Sequence, residues 1–126
     1  MKEWIFWLLN SNLNKSPIII DSFNNIQCSG GLIIIKSNNG GVVFKNILNA
    51  KKIKFTLQND VFCQYGVCNI GATLPNIILT GEGRDSFAET ATKGIYEITV
   101  NGSAGNFFIG GYSGAQITDI KVSEWL

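Results

Sequence analysis

Tyr65, Phe87, Tyr112 and the single arginine, Arg84, are the side chains of this sequence best suited to holding a ligand. An exposed aromatic ring offers a flat apolar face, and an amide or guanidinium beside it offers directed hydrogen bonds. Together such groups grip a ring-shaped polar molecule, and Asn106 and Gln116 are candidate amide partners. The competing fate of a tyrosine is burial in the core. For Arg84 it is a local surface pairing with Glu82, Asp85 or Glu89, an interaction of small energy.

Catalysis has little to work with. Histidine is absent, which removes the usual general base, the Ser-His and Cys-His nucleophile pairs and the commonest metal ligand. A two-carboxylate glycosidase needs acids facing each other at roughly 5 to 9.5 Å, yet only Glu97 sits in a well-patterned strand. No catalytic residue is expected. Cys28, Cys63 and Cys68 cannot all pair. On one continuous strand Cys63 and Cys68 point to opposite faces, so buried free thiols are the simpler reading, although a bend at Gly66 would allow a bridge. Zinc is disfavoured without histidine or a paired C-x-x-C, and no metal site is expected.

The elements that would carry these residues are strands. Tyr96, Ile98 and Val100 alternate with Glu97 and Thr99, and Asn101-Gly102 suits a turn. Phe107–Ile109 is a short apolar run ended by Gly110-Gly111, and a last strand carries Ile120 and Val122. Ile117 is out of phase with Ile120, which predicts a bulge near Thr118-Asp119. The segment 51–58 puts Ile53, Phe55 and Leu57 inward and Lys52, Lys54, Thr56 and Gln58 outward. Asn-Gly within 37–41 predicts a hairpin between 32–36 and 42–45, and Leu32–Ile35 reads as a central strand covered on both faces. The run 61–70 returns after Asn59-Asp60, and 77–80 reads as another extended piece. The segment 81–93 is the longest polar stretch and reads as a surface loop, with Ser86-x-x-Glu89 a weak helix cap. Trp4–Leu9 is a strand with no polar face, too short for a signal peptide or a membrane span. One face must enter the core, and the other must meet a loop or another subunit. A single all-β domain over 1–126 is expected: a two-sheet antiparallel β-sandwich with jelly-roll topology.

The C-terminal order of pieces resembles galactose-binding-like β-sandwich modules. The likeness rests on Gly94, Tyr96 and Val100, then on Asp119, Ile120, Val122 and Glu124. Such jelly-roll modules serve as carbohydrate-binding domains and as building blocks of phage virion proteins. The resemblance implies first and last strands at one edge, bringing Trp4 and Trp7 near Trp125. It also implies room for a structural calcium ion, although no motif marks its oxygen ligands. No other cofactor is implied.

Two roles follow. Low charge, 15% of residues, and the apolar N-terminal strand suit a brick held in an assembly. On that reading the chain is an auxiliary, or decoration, capsid protein of a phage virion. It would be made in the host cytoplasm without a signal peptide, and would dock on the major capsid protein or on copies of itself through Trp4, Phe6, Trp7 and Trp125. The alternative is a small carbohydrate-binding module or fibre adhesion domain using Tyr65, Arg84, Phe87 and Tyr112. Nucleic acid is not expected, since the net charge is +1 and the lysines at 51, 52 and 54 have no interleaved aromatic. Membrane is not expected either.

Overall fold

The computed structural model describes residues 20–45, 49–100 and 105–126. They form ten strands: β1 (Ile20–Asn24), β2 (Ile26–Ser29), β3 (Leu32–Ile35), β4 (Gly40–Phe44), β5 (Ala50–Leu57), β6 (Cys63–Cys68), β7 (Arg84–Thr90), β8 (Gly94–Thr99), β9 (Asn106–Gly111) and β10 (Gln116–Trp125). The first sheet runs β1-β4-β9-β6-β7 and the second β2-β3-β10-β5-β8, five strands each. Every pairing is antiparallel.

The pairings are nested. β6 pairs with β7, β5 with β8, β4 with β9 and β3 with β10, and successive pairs fall in alternate sheets. That is a jelly roll, with β1 and β2 each adding one strand to an edge.

Period-2 sequences bury one face of each sheet. Ile53, Phe55 and Leu57 of β5 point into the sandwich while Lys52, Lys54 and Thr56 are partly exposed. Phe44 and Phe107 stack in the core with centroids 5.2 Å apart. Phe55 meets Tyr65 edge-on at 5.1 Å. The bulge is where the phase slip of Ile117 against Ile120 places it: the β10·β5 register shifts between Thr118 and Lys121, and Asp119 takes φ 54°. Among the described residues no helix is long and apolar enough to cross a membrane.

Four expectations are corrected. The 37–41 turn does not make a hairpin, because β3 and β4 lie in opposite sheets. Turn chemistry bends the chain without saying which sheet it enters. The close hairpin is instead β2·β3 through Gly30-Gly31, both at positive φ. In β3, Leu32 and Ile34 are only partly covered, so one of its faces is not fully sealed. The segment 77–80 is not extended: Asn76–Leu79 is one turn of helix, with Ile78 and Leu79 N–H groups donating to the Pro75 carbonyl. The polar stretch 81–93 is not a loop, for most of it is β7, the edge strand of the first sheet.

The helical turn has a clear task. It covers part of the outer face of the first sheet, where Val43, Cys68 and Phe108 form a second small core with Leu74 and Ile77. Gly110 makes room for it, since a Cβ there would overlap the Ile78 side chain. Ile77 is fully buried. Ile77→Ala should cost about 2–3 kcal/mol, the lower part of the range for such truncations, because a single turn can settle onto the sheet. The urea midpoint should fall with an unchanged slope.

Candidate functional site

Beyond the helical turn, the outer face of the first sheet stays open among the described residues. Gln64 and Gly66 of β6 point to this side, since Cys63, Tyr65 and Val67 fill the core between the sheets. Across the β6·β7 pair, Gln64 faces Glu89 and Gly66 faces Phe87. Across β6·β9, Gln64 faces Gly110. The Tyr112 N–H donates to the Phe62 carbonyl at 3.0 Å, extending this pairing by one residue and putting the two rings side by side.

A cleft of about 410 Å³ results, lined by Asn38, Asn39, Phe62, Gln64, Ile78, Leu79, Glu89 and Tyr112. The Tyr112 ring is 49% exposed and lies 4.7 Å from the Phe62 ring, centroid to centroid. Leu79, on the helical turn, is a large exposed apolar group on the cleft wall. Asn38 Oδ1 accepts the Ser113 N–H at 3.0 Å, which leaves the amide its NH2 group to offer.

A polar row runs beside the cleft and into it. Arg84 Nη1 donates to Gln64 Oε1 at 3.2 Å, and Gln64 Nε2 donates to Glu89 Oε2 at 3.1 Å. Chemistry alone fixes the orientation of the amide, because guanidinium only donates and carboxylate only accepts. Gln64 is 2% exposed, so both bonds are made where an unpaired amide would be costly. The Arg84 guanidinium also lies 3.6 Å over the Phe87 ring.

The expected site residues therefore divide. Arg84 and Phe87 are brought together, and Tyr112 stands on the same face beyond Gln64 and Glu89. Arg84 makes no ion pair with Glu82, Asp85 or Glu89. Tyr65 is not a stacking platform: it is 9% exposed, packed against Phe55 and Tyr96, and burial raises its phenol pKa. Asn106 is buried at the start of β9, and Gln116 belongs to the second sheet, where its N–H donates to Asn59 Oδ1. Trp4, Phe6 and Trp7 lie outside the described residues. Trp125 is half-buried against the main core at the end of β10.

Gln64 is the residue the sequence reading missed. Its signal was available: a lone amide inside the run Phe62–Cys68, where the neighbours are apolar or small, must find partners if the run is buried. The lysine face of β5 is a solvated surface, with Lys51 and Lys52 at 2.9 and 3.8 Å from Glu124. The Lys51 hydrogen bond holds the Glu124 carboxyl below its ordinary pKa.

The thiols are shielded from solvent. Cys28, Cys63 and Cys68 are free and buried, with Cys63 inside the sandwich and Cys68 in the outer cluster. Desolvation pushes their pKa values up to about 11, 12 and 12. Among the described residues no three His, Cys, Asp or Glu side chains group to hold a metal ion. Two results should follow. Ellman's reagent at pH 8 should label none of the three thiols in the native protein and all three in denaturant. The folded state also keeps thiol protons that the unfolded chain releases near its ordinary pKa of 9. Stability should therefore decline as pH rises from 9 toward 12, which an alkaline titration followed by circular dichroism would show.

No protein-family model matches the chain, and none of the curated proteins does. Among solved structures it is similar to CsCBM6-3 from Clostridium stercorarium, solved in complex with cellobiose. Identity is 20%, over 80% of this chain and 84% of that one, with a TM-score of 0.45.

Proposed function

We propose that this chain is a non-catalytic carbohydrate-binding domain that holds its glycan in the cleft on the outer face of the first sheet. One observation carries the proposal: the half-exposed Tyr112 ring, backed by Phe62, borders the same cleft as the hydrogen-bonded Gln64–Glu89 pair. A sugar has an apolar face of C–H groups and a rim of hydroxyls. The first suits an aromatic ring, and the second suits a carboxylate and amides whose directions are already set. Asn38 adds donors on the rim, and Leu79 adds apolar wall. These groups stand on paired strands and a packed helical turn, so little ordering is required on binding.

The direct test is affinity electrophoresis of the whole protein in gels containing soluble polysaccharides. Hydroxyethyl cellulose, arabinoxylan and galactomannan are the neutral members, glycol chitosan the amino member, and carboxymethyl cellulose and polygalacturonate the acidic ones. Retardation by at least one polymer is expected. Unretarded migration in all of them would overturn the proposal. Docking on a capsid through Trp4, Phe6, Trp7 and Trp125 was the other role read from the sequence, and no observation on the described residues favours it over glycan binding.

A further inference from the structure

We infer that the cleft selects its glycan by charge, taking neutral or amino sugars and refusing acidic ones, with Glu89 as the discriminating residue. The inference rests on the glycan-binding reading and goes beyond it.

Its basis is the polarity of the Arg84–Gln64–Glu89 row. The positive end is turned away from the ligand: Arg84 is not among the cleft-lining residues, one of its N–H groups is given to Gln64, and its flat face is laid on Phe87. The amide passes the donor direction on, and the row ends at the carboxylate of Glu89. Glu89 Oε2 accepts from Gln64, while Oε1 accepts from no described residue and is left to the ligand. Among the described residues that line the cleft none carries a positive charge, and Glu89 is the one formal charge. A hydroxyl or an ammonium can donate to that oxygen. A uronate carboxylate can only accept, and it meets a like charge with no cation among the described lining residues to receive it. The chain as a whole carries +1, so its overall field does not repel acidic polymers. Refusal would have to come from the cleft itself.

The experiment uses the same gels, with dissociation constants taken from retardation against polymer concentration. At about 20 mM salt, carboxymethyl cellulose and polygalacturonate should bind at least about tenfold more weakly than the best neutral or amino polymer. The gap should narrow to about threefold at 0.5 M salt, as expected for an exposed charge. Glu89→Gln keeps the shape and can still accept from Gln64 through its amide oxygen. It should weaken neutral binding a few-fold, through loss of a charge-assisted acceptor, and strengthen acidic binding, bringing the two within about threefold. An acidic polymer held by the native protein as tightly as a neutral one would overturn the inference while leaving glycan binding intact. So would a Glu89→Gln protein with the native ratio. If no polymer is retarded, the reading beneath it fails as well, and that result is distinct from the other two.

Discussion

Tyr112→Ala is expected to weaken glycan binding by about 30-fold, close to 2 kcal/mol, and to leave the folded state nearly as stable as before. The ring is half exposed, so its removal opens no sealed cavity. What goes is a large, half-exposed flat surface on the cleft wall that its support already holds in place. The ring leans on Phe62, and its backbone N–H is fixed to the Phe62 carbonyl, so its position is set before any ligand arrives. Truncation also exposes Phe62 to water in the bound and free states alike, so the loss falls on ligand contact. Tyr112→Phe retains the ring and should stay within about threefold of the native protein. Isothermal titration with the best-retained polymer, beside a thermal melt, checks both statements. Native affinity in Tyr112→Ala would move the site away from this cleft.

Gly66→Ala is expected to cost at least about 3 kcal/mol. A Cβ at this position would overlap the Ser86 carbonyl oxygen and stand 2.6 Å from Phe87 Cα. Both obstacles are backbone atoms of the neighbouring strand, and neither can turn aside as a side chain would. β6 lies between β9 and β7, so relief requires β7 to move off the sheet. That movement would break the Gly66↔Phe87 pairing and pull Glu89 from Gln64. The melting temperature should drop by roughly 10 °C or more. Residual folded protein should bind glycan poorly, because the Gln64–Glu89 pair would be parted. A well-folded Gly66→Ala protein with native melting would mean that β7 is held far more loosely than its pairing indicates.

The parts legible in the sequence are those where one face is buried and the other wet. β5 and β8 alternate cleanly because a core lies on one side only, and each was readable residue by residue. Cys63 and Cys68 were placed on opposite faces by parity alone, and they fill separate clusters. β7 was illegible for the complementary reason. As an edge strand with six of its seven residues polar, small or charged, it presents no alternating hydrophobic signal, and its conformation comes from its pairing with β6. The helical turn 76–79 was missed because a three-residue apolar run, Ile77–Leu79, fits a strand as well as one turn of helix. For the site, Arg84 and Phe87 were close enough in sequence to be grouped, whereas Gln64 and Glu89 are 25 residues apart and meet only through pairing. Tyr65 and Tyr112 look alike in type and part only in depth. The first points inward from an interior strand, and the second stands just past the end of β9.

The nested strand pairing also orders assembly in time. The innermost pair, β6·β7, joins 63–68 to 84–90, whereas the outermost, β3·β10, joins 32–35 to residues after 115. Each inner pair, once made, shortens the loop that the next must close, so the roll is expected to zip from β6·β7 outward. β10 is held between β3 and β5, so the second sheet has a gap at its centre until β10 has been synthesised. On the ribosome, half the sandwich must wait with its apolar face unsealed for the last strand to emerge.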